Sequence, residues 1–241
     1  MLLGLTLSAL AWVPMHREFW HTHFPAQIRT PTSLPRRGLN LYVDHPYHST
    51  DLDVSINLTG QTAWVENYVG PPTPGVHPIP IGIPSGTWKR HGAAFMLAVG
   101  KSPSFSAKPT AAYNNAHFVS HDHASERKAL LRNRDIDHAV RRTNAPAFWH
   151  LLAGYAFVLS PRGHGIDCHR TWEALSLNTV PIVRSGPLDA LHREFPIAIV
   201  DSWDDVNRSS LMRWRERFLA YDWPSVRARL DAGNAALRVL A

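Results

Sequence analysis

The chain of 241 residues contains one cysteine, Cys168, and only four lysines. A single thiol excludes an intrachain disulfide and any zinc site built on cysteines. Thiol catalysis needs a base beside the sulfur and an electropositive setting. Cys168 has His169 as its neighbour, but the loop chemistry described below explains these residues better. Long apolar runs are also lacking. The run MLLGLTLSALAWVPM (1–15) falls short of the ~20 residues a membrane helix needs, and no basic leader precedes it. It reads either as a truncated signal-anchor or as a buried first element of the fold. A repeat of solenoid period and an HExxH zinc pair are absent too.

What remains is a globular composition, 44% hydrophobic, 10% aromatic and 18% charged. The length suits one large domain or two small α/β domains. Most of the 19 prolines lie in the first half, which predicts a loop-rich region with short elements. The formal net charge is +6, carried almost entirely by arginine. Such a balance suits nucleic acid, anionic membrane or phosphorylated small molecules. Most of the arginine follows residue 125 and is scattered over predicted helices, while the aromatics sit in apolar runs that read as core. A nucleic-acid surface would interleave the two, so that class ranks last. The sequons Asn57-Leu-Thr and Asn207-Arg-Ser are too common by chance to indicate a secretory route.

Strands are expected at 39–47, where the chain ends in a Pro-bearing loop, at 52–60 by alternation, and at 157–160, 180–183 and 195–200 as apolar runs. Residues 62–70 suit a strand or a short helix. Pro spacing makes 71–88 extended with turns. Residues 93–99 form a compact apolar run, and 108–119 a strand followed by a loop. Helices are expected at 123–134, 145–155, 168–177, 209–222 and 223–240. Asn178 suits a left-handed C-terminal cap for the 168–177 helix. Alternating strand and helix in the second half predicts a parallel sheet covered on both faces, with ligands at the carboxyl ends of its strands.

The loop 160–167 follows a strand and opens a helix, so it lies where a ligand should sit. Gly163 and Gly165 permit unusual backbone angles and close approach. A helix N-terminus offers unpaired N–H groups and partial positive charge to a phosphate. Arg162 can fork onto phosphate oxygens, and Asp167 suits the N-cap. In a helix from about 168, His169, Arg170 and Glu173 share one face, with Trp172 and Leu175 turned to the core. A carboxylate such as Glu173 can accept both hydroxyls of a ribose. Each residue also has an ordinary reading: a plain Gly-x-Gly turn, a cap at Asp167, a surface pair of Arg170 with Glu173.

The joint pattern is more specific. Phe157, Pro161-Arg162-Gly163, Gly165, Asp167, Arg170, Glu173-Ala174-Leu175 and Pro181-Ile182-Val183 together resemble the exostosin-like glycosyltransferases and related inverting families. The family usually carries Gly where this chain has Asn178. The stretches 185–206 and VHPIPIGIP (76–84) add to the resemblance, which covers 76–84 and 108–206.

The resemblance implies an α/β fold of GT-B type: two Rossmann-like domains with parallel sheets, the N-terminal one (1–105) short and proline-rich and facing the acceptor. The C-terminal one (106–241) would hold a nucleoside-diphosphate sugar, a UDP-sugar or a GDP-sugar. Ser160, Arg162, Gly163, His164, Gly165, Asp167, His169, Arg170 and Glu173 would form that site, with Arg127 of SERKALL weighed evenly between a phosphate contact and an exposed helix position. The two arginines would neutralise the leaving diphosphate, so no cofactor or metal is expected. Asp44 and Glu66 are the candidate general bases, with His45 and His48 nearby. The expected partners are a nucleotide sugar and a glycan acceptor, with room for peripheral membrane association. The family implies a Golgi membrane for a eukaryotic chain and the cytoplasm for a microbial or viral one. So short an N-terminal part is either minimal or damaged, and damage would leave nucleotide binding without transfer.

The 15 histidines invite a metal reading at His16, His21 and His23, at His45 and His48, and at His117, His121 and His123. Substitution of His for other polar residues is the simpler account.

Overall fold

The computed structural model describes residues 20, 22, 26–27, 38–42, 61–70, 73–116, 130–139, 143–163 and 165–231. The expected strand at 52–60, residues 123–129 of the expected 123–134 helix and residues 232–240 of the expected 223–240 helix lie outside these residues; within them, residues 131–134 are turn rather than helix and the last helix ends at Arg229.

The chain is α/β, with two parallel sheets. The first has three strands in chain order: β1 (Gly38–Tyr42), β2 (Gln61–Glu66) and β3 (Val76–Ile79). The segment left open between helix and strand is therefore a strand over Gln61–Glu66, and Asn67 ends it with φ 54°. Pro78 lies on β3, an edge strand, where a missing N–H is tolerated.

Next comes α1 (Ser85–Lys101), a 17-residue helix that the sequence did not suggest beyond its apolar run. Its glycines argue against a helix on propensity, yet Phe95 and Val99 bury one side of it. A Cβ at Gly92 would stand 3.2 Å from the Trp88 ring, so that glycine makes room for a side chain one turn earlier.

The second sheet contains β4 (Ala112–Asn114), β5 (Ile136–His138), β6 (Phe157–Leu159), β7 (Val180–Arg184) and β8 (Ala198–Val200), in the spatial order β5-β4-β6-β7-β8. Three-residue β5 had no periodic signal. Between β5 and β6 lies α2 (Ala145–Leu152), capped by Asn144 Oδ1, which accepts from Ala147 N at 3.0 Å. Between β6 and β7 lies α3 (His169–Ser176). Short α4 (Asp189–His192) follows β7, and α5 (Arg208–Leu219) and α6 (Trp223–Arg229) are the last described helices. Pro181 sits inside β7, a central strand. Its nitrogen faces the β8 side one residue before the Ile182–Ala198 pairing begins, so no ladder bond is lost there.

Strand side chains alternate between two cores. Val158 and Tyr113 pack with Phe95, Phe148, Trp149 and Leu152 from α1 and α2. Phe157, Leu159 and Ala112 pack with Leu211, Phe218 and Trp223 on the opposite face. Helix α3 feeds both cores, Ala174 to the first and Trp172 and Leu175 to the second. It ends at Asn178, φ 53°, the expected left-handed cap, whose Nδ2 donates to Pro103 O at 3.1 Å.

Candidate functional site

In a parallel sheet ordered this way, successive crossovers leave β4 in opposite directions. The crevice outside the carboxyl ends of β4 and β6 is then the expected ligand position. Around the loop after β6, four further chain segments meet at this edge: the residues after β2, after β3, after β4 and after β7.

The 160–170 loop is tied to each of them. Gly165 brings the chain against Asn67. A Cβ at Gly165 would fall on Asn67 Oδ1 and 2.9 Å from its Cγ, while the same oxygen accepts from Asp167 N at 2.9 Å. Asp167 Oδ2 accepts from Ile81 N at 3.1 Å. His169 Nδ1 lies 2.6 Å from Gly82 O. A carbonyl only accepts, so Nδ1 carries the hydrogen and donates. Arg170 Nε donates to Asn115 Oδ1, just beyond β4, at 3.0 Å, with its Cζ 5.8 Å from the Phe148 ring centroid.

Several expected roles change on this geometry. Gly163 and Gly165 have no positive φ, so neither is required for backbone freedom. Gly165 is required by the closeness of Asn67, whereas a Cβ at Gly163 would meet nothing within 4 Å. Asp167 is not the N-cap: that position is Cys168, and Asp167 precedes it. Its buried carboxylate accepts from Cys168 N at 2.7 Å and Trp172 Nε1 at 2.9 Å as well as from Ile81 N, which makes it a structural tie rather than a ligand contact. Burial pushes its pKa up to about 6, against the lowering effect of those donors. Ser160 is buried too, its Oγ 2.9 Å from Thr171 Oγ1, so it locks loop to helix.

Arg162, Gly163, His169 and Arg170 remain partly exposed on the loop and first helical turn. Arg162 Nη2 donates weakly to Ser185 O, 3.5 Å away beyond β7. Arg162 and Arg170 thus lie along one carboxyl edge, tethered to loops on either side of β6. Glu173 is one turn further on and buried; its Oε1 accepts from Trp149 Nε1 at 3.1 Å. Burial raises its pKa, and the Trp149 bond and the Arg170 cation pull it back. Arg170 therefore acts on Glu173 through space and pairs with Asn115 instead. Cys168 Sγ receives a long contact, 3.8 Å, from Arg170 Nη1, while His169 Nδ1 donates to Gly82 O.

Glu66 ends β2 with its side chain 1% exposed. A group so enclosed does not face an acceptor hydroxyl in this conformation. Asp44, His164 and Arg127 lie outside the described residues, as do all eight histidines of the metal reading. Among the described residues no cluster of three His, Cys, Asp or Glu could hold a metal ion, and no helix is long and apolar enough to cross a membrane.

Asn67, Asn115, Trp149 and Gly186 were not singled out by the motif, because each reaches the loop from a distant segment. Asn115 could have been noticed as a polar residue closing the predicted 108–119 strand, the neighbour of β6. Comparison with protein-family models and with curated proteins finds no match for this chain.

Proposed function

We propose that the protein is a glycosyltransferase that moves a sugar from a nucleoside-diphosphate sugar to a glycan or other hydroxyl acceptor with inversion. The supporting observation is the pair of arginines on the switch-point edge, each tethered to a loop outside the motif. Two partly exposed guanidinium groups beside a helix N-terminus suit a diphosphate leaving group, whose charge grows as the glycosidic bond breaks. In this reading Gly163 faces the ligand, since among the described residues, chain neighbours aside, no atom lies within 4 Å of where a Cβ would stand. Glu173 is buried with Oε1 engaged by Trp149, so in this reading its ribose contact falls to Oε2 and requires that atom to be uncovered when the ligand binds. The parallel sheet over 38–79 lies with its carboxyl end against the motif loop through Asn67, Ile81 and Gly82, an arrangement in keeping with a GT-B-like pair of units and a donor held between them.

The enclosure of Glu66 favours a second reading, a nucleotide-sugar-binding protein without transfer activity. Two measurements test the proposal. Calorimetry should detect UDP or GDP binding that Arg162→Ala weakens but leaves measurable; unchanged affinity would remove the loop from the site. Incubation with a panel of sugar nucleotides should release nucleoside diphosphate from the true donor. Binding with no release from any donor would leave the second reading.

A further inference from the structure

The loop after β7 carries a glycine that its own backbone does not demand. Gly186 has no positive φ, so an L-residue could adopt its conformation. A Cβ built there would stand 2.7 Å from Arg162 Nη2 and 3.8 Å from its Cζ, with no other atom within 4 Å. Among the described residues, chain neighbours aside, the space beside Gly186 is therefore taken by the Nη2 end of one guanidinium group.

The surface under that group is itself fixed. Asp189 accepts from Gly186 N through Oδ1 at 2.8 Å and from Ser185 Oγ through Oδ2 at 2.8 Å. Ser185 N donates to Val200 O at 2.8 Å, which anchors the turn to β8. Arg162 lies across this clamped turn with Nη2 toward Ser185 O.

We infer that Gly186 is a positioning residue for the diphosphate of a nucleotide ligand: it lets the Nη2 end of the Arg162 guanidinium rest against the Ser185–Gly186 turn, in the pose that binds phosphate. This rests on the nucleotide-sugar reading above. A guanidinium recognises phosphate through a planar fork of donors, so a small displacement costs direction as well as distance. What a Cβ would push aside is the far end of a flexible side chain, so the fold should hardly register the change.

The test compares unsubstituted protein, Gly186→Ala, Arg162→Ala and the double variant by calorimetry with UDP and with GDP, alongside thermal melting. Gly186→Ala should weaken the bound nucleotide about tenfold, the scale of one charge-assisted hydrogen bond. Its melting temperature should stay within about 2 °C of the parent. In the Arg162→Ala background the same substitution should change nothing further. Equal affinity of Gly186→Ala and parent overturns the inference, as does an equal loss with Arg162 already removed, or a melting temperature lowered by more than about 5 °C. Failure of the parent to bind either nucleotide overturns the nucleotide reading itself and this inference with it.

Discussion

Arg170 Nε donates to Asn115 Oδ1 at 3.0 Å, a bond that joins α3 to the end of β4 across 55 positions of sequence. Phe148 flanks the same guanidinium, so the group is held on two sides and its Nη atoms are aimed by the protein. Asn115→Ala should release it. UDP or GDP affinity is expected to fall about tenfold by calorimetry, since hydrogen bonds to charged groups contribute roughly 1.5–3 kcal/mol. Undiminished affinity would show that Arg170 needs no such support.

Gly163 and Gly165 are two residues apart and should respond oppositely to alanine. At Gly163 the new methyl enters open space, so melting should be unaffected while nucleotide binding weakens. At Gly165 it collides with Asn67 and threatens the bond from Asp167 N. A loss of about 1–3 kcal/mol is expected there, visible as a drop of several degrees in melting temperature. Matching behaviour of the two variants would contradict this division.

Asp167 and His192 should give pH profiles of opposite slope. Asp167, its pKa raised to about 6, keeps a proton between about pH 4 and 6 that the unfolded chain has released, so its contribution to stability falls as pH rises through that window. The His192 ring is buried with both nitrogens unpaired, and burial lowers its pKa to about 4, with Asp189 opposing. The unfolded chain takes up that proton below about pH 6.5, so the His192 contribution falls as pH drops from about 6.5 to 4. Denaturant melts of His192→Leu and Asp167→Asn, each subtracted from the parent, should therefore slope in opposite directions. His192→Leu should also be neutral or stabilising at pH 7, since it removes two unpaired buried nitrogens.

Lys108 sets a third pH dependence, on the alkaline side. Its Nζ donates to Leu177 O at 2.6 Å and Thr179 Oγ1 at 2.7 Å, beneath the end of α3. Burial lowers its pKa to about 7, so between about pH 7 and 10.5 the unfolded chain binds a proton the native state lacks. Stability attributable to Lys108 rises with pH over that range, on the order of 1.4 kcal/mol per unit. Lys108→Met should abolish the rise; an unaltered slope in chemical denaturation would refute the assignment.

The strand–helix–strand run from β6 to β7 was legible in the sequence because β6 and most of β7 are buried apolar runs, α3 is buried from Thr171 to Ser176, and turn residues punctuate both ends. The left-handed cap at Asn178 was legible for the same local reason. Helix α1 was not, since its three glycines mask a spaced apolar stripe that only tertiary packing completes. Nor was the role of Asp167. A carboxylate ahead of a helix signals a cap, but its decisive partner, Ile81 N, is 86 positions away, and no local pattern announces such a pairing. The same limit hid Asn67, Asn115 and Gly186, which act on the loop from other strand ends. The expected functions of the motif arginines were read from chemistry; what aims them was readable only in three dimensions.

The dependence of the loop on remote supports bears on its modularity. Excised as residues 157–183 and spliced onto another parallel sheet, the segment would carry Arg162, Arg170 and Glu173 but leave behind Asn67, Ile81, Asn115, Trp149 and Gly186. The inherited unit is thus a patch assembled from five strand ends, and a chimera that respects only the contiguous stretch would transplant the letters of the motif without its aim.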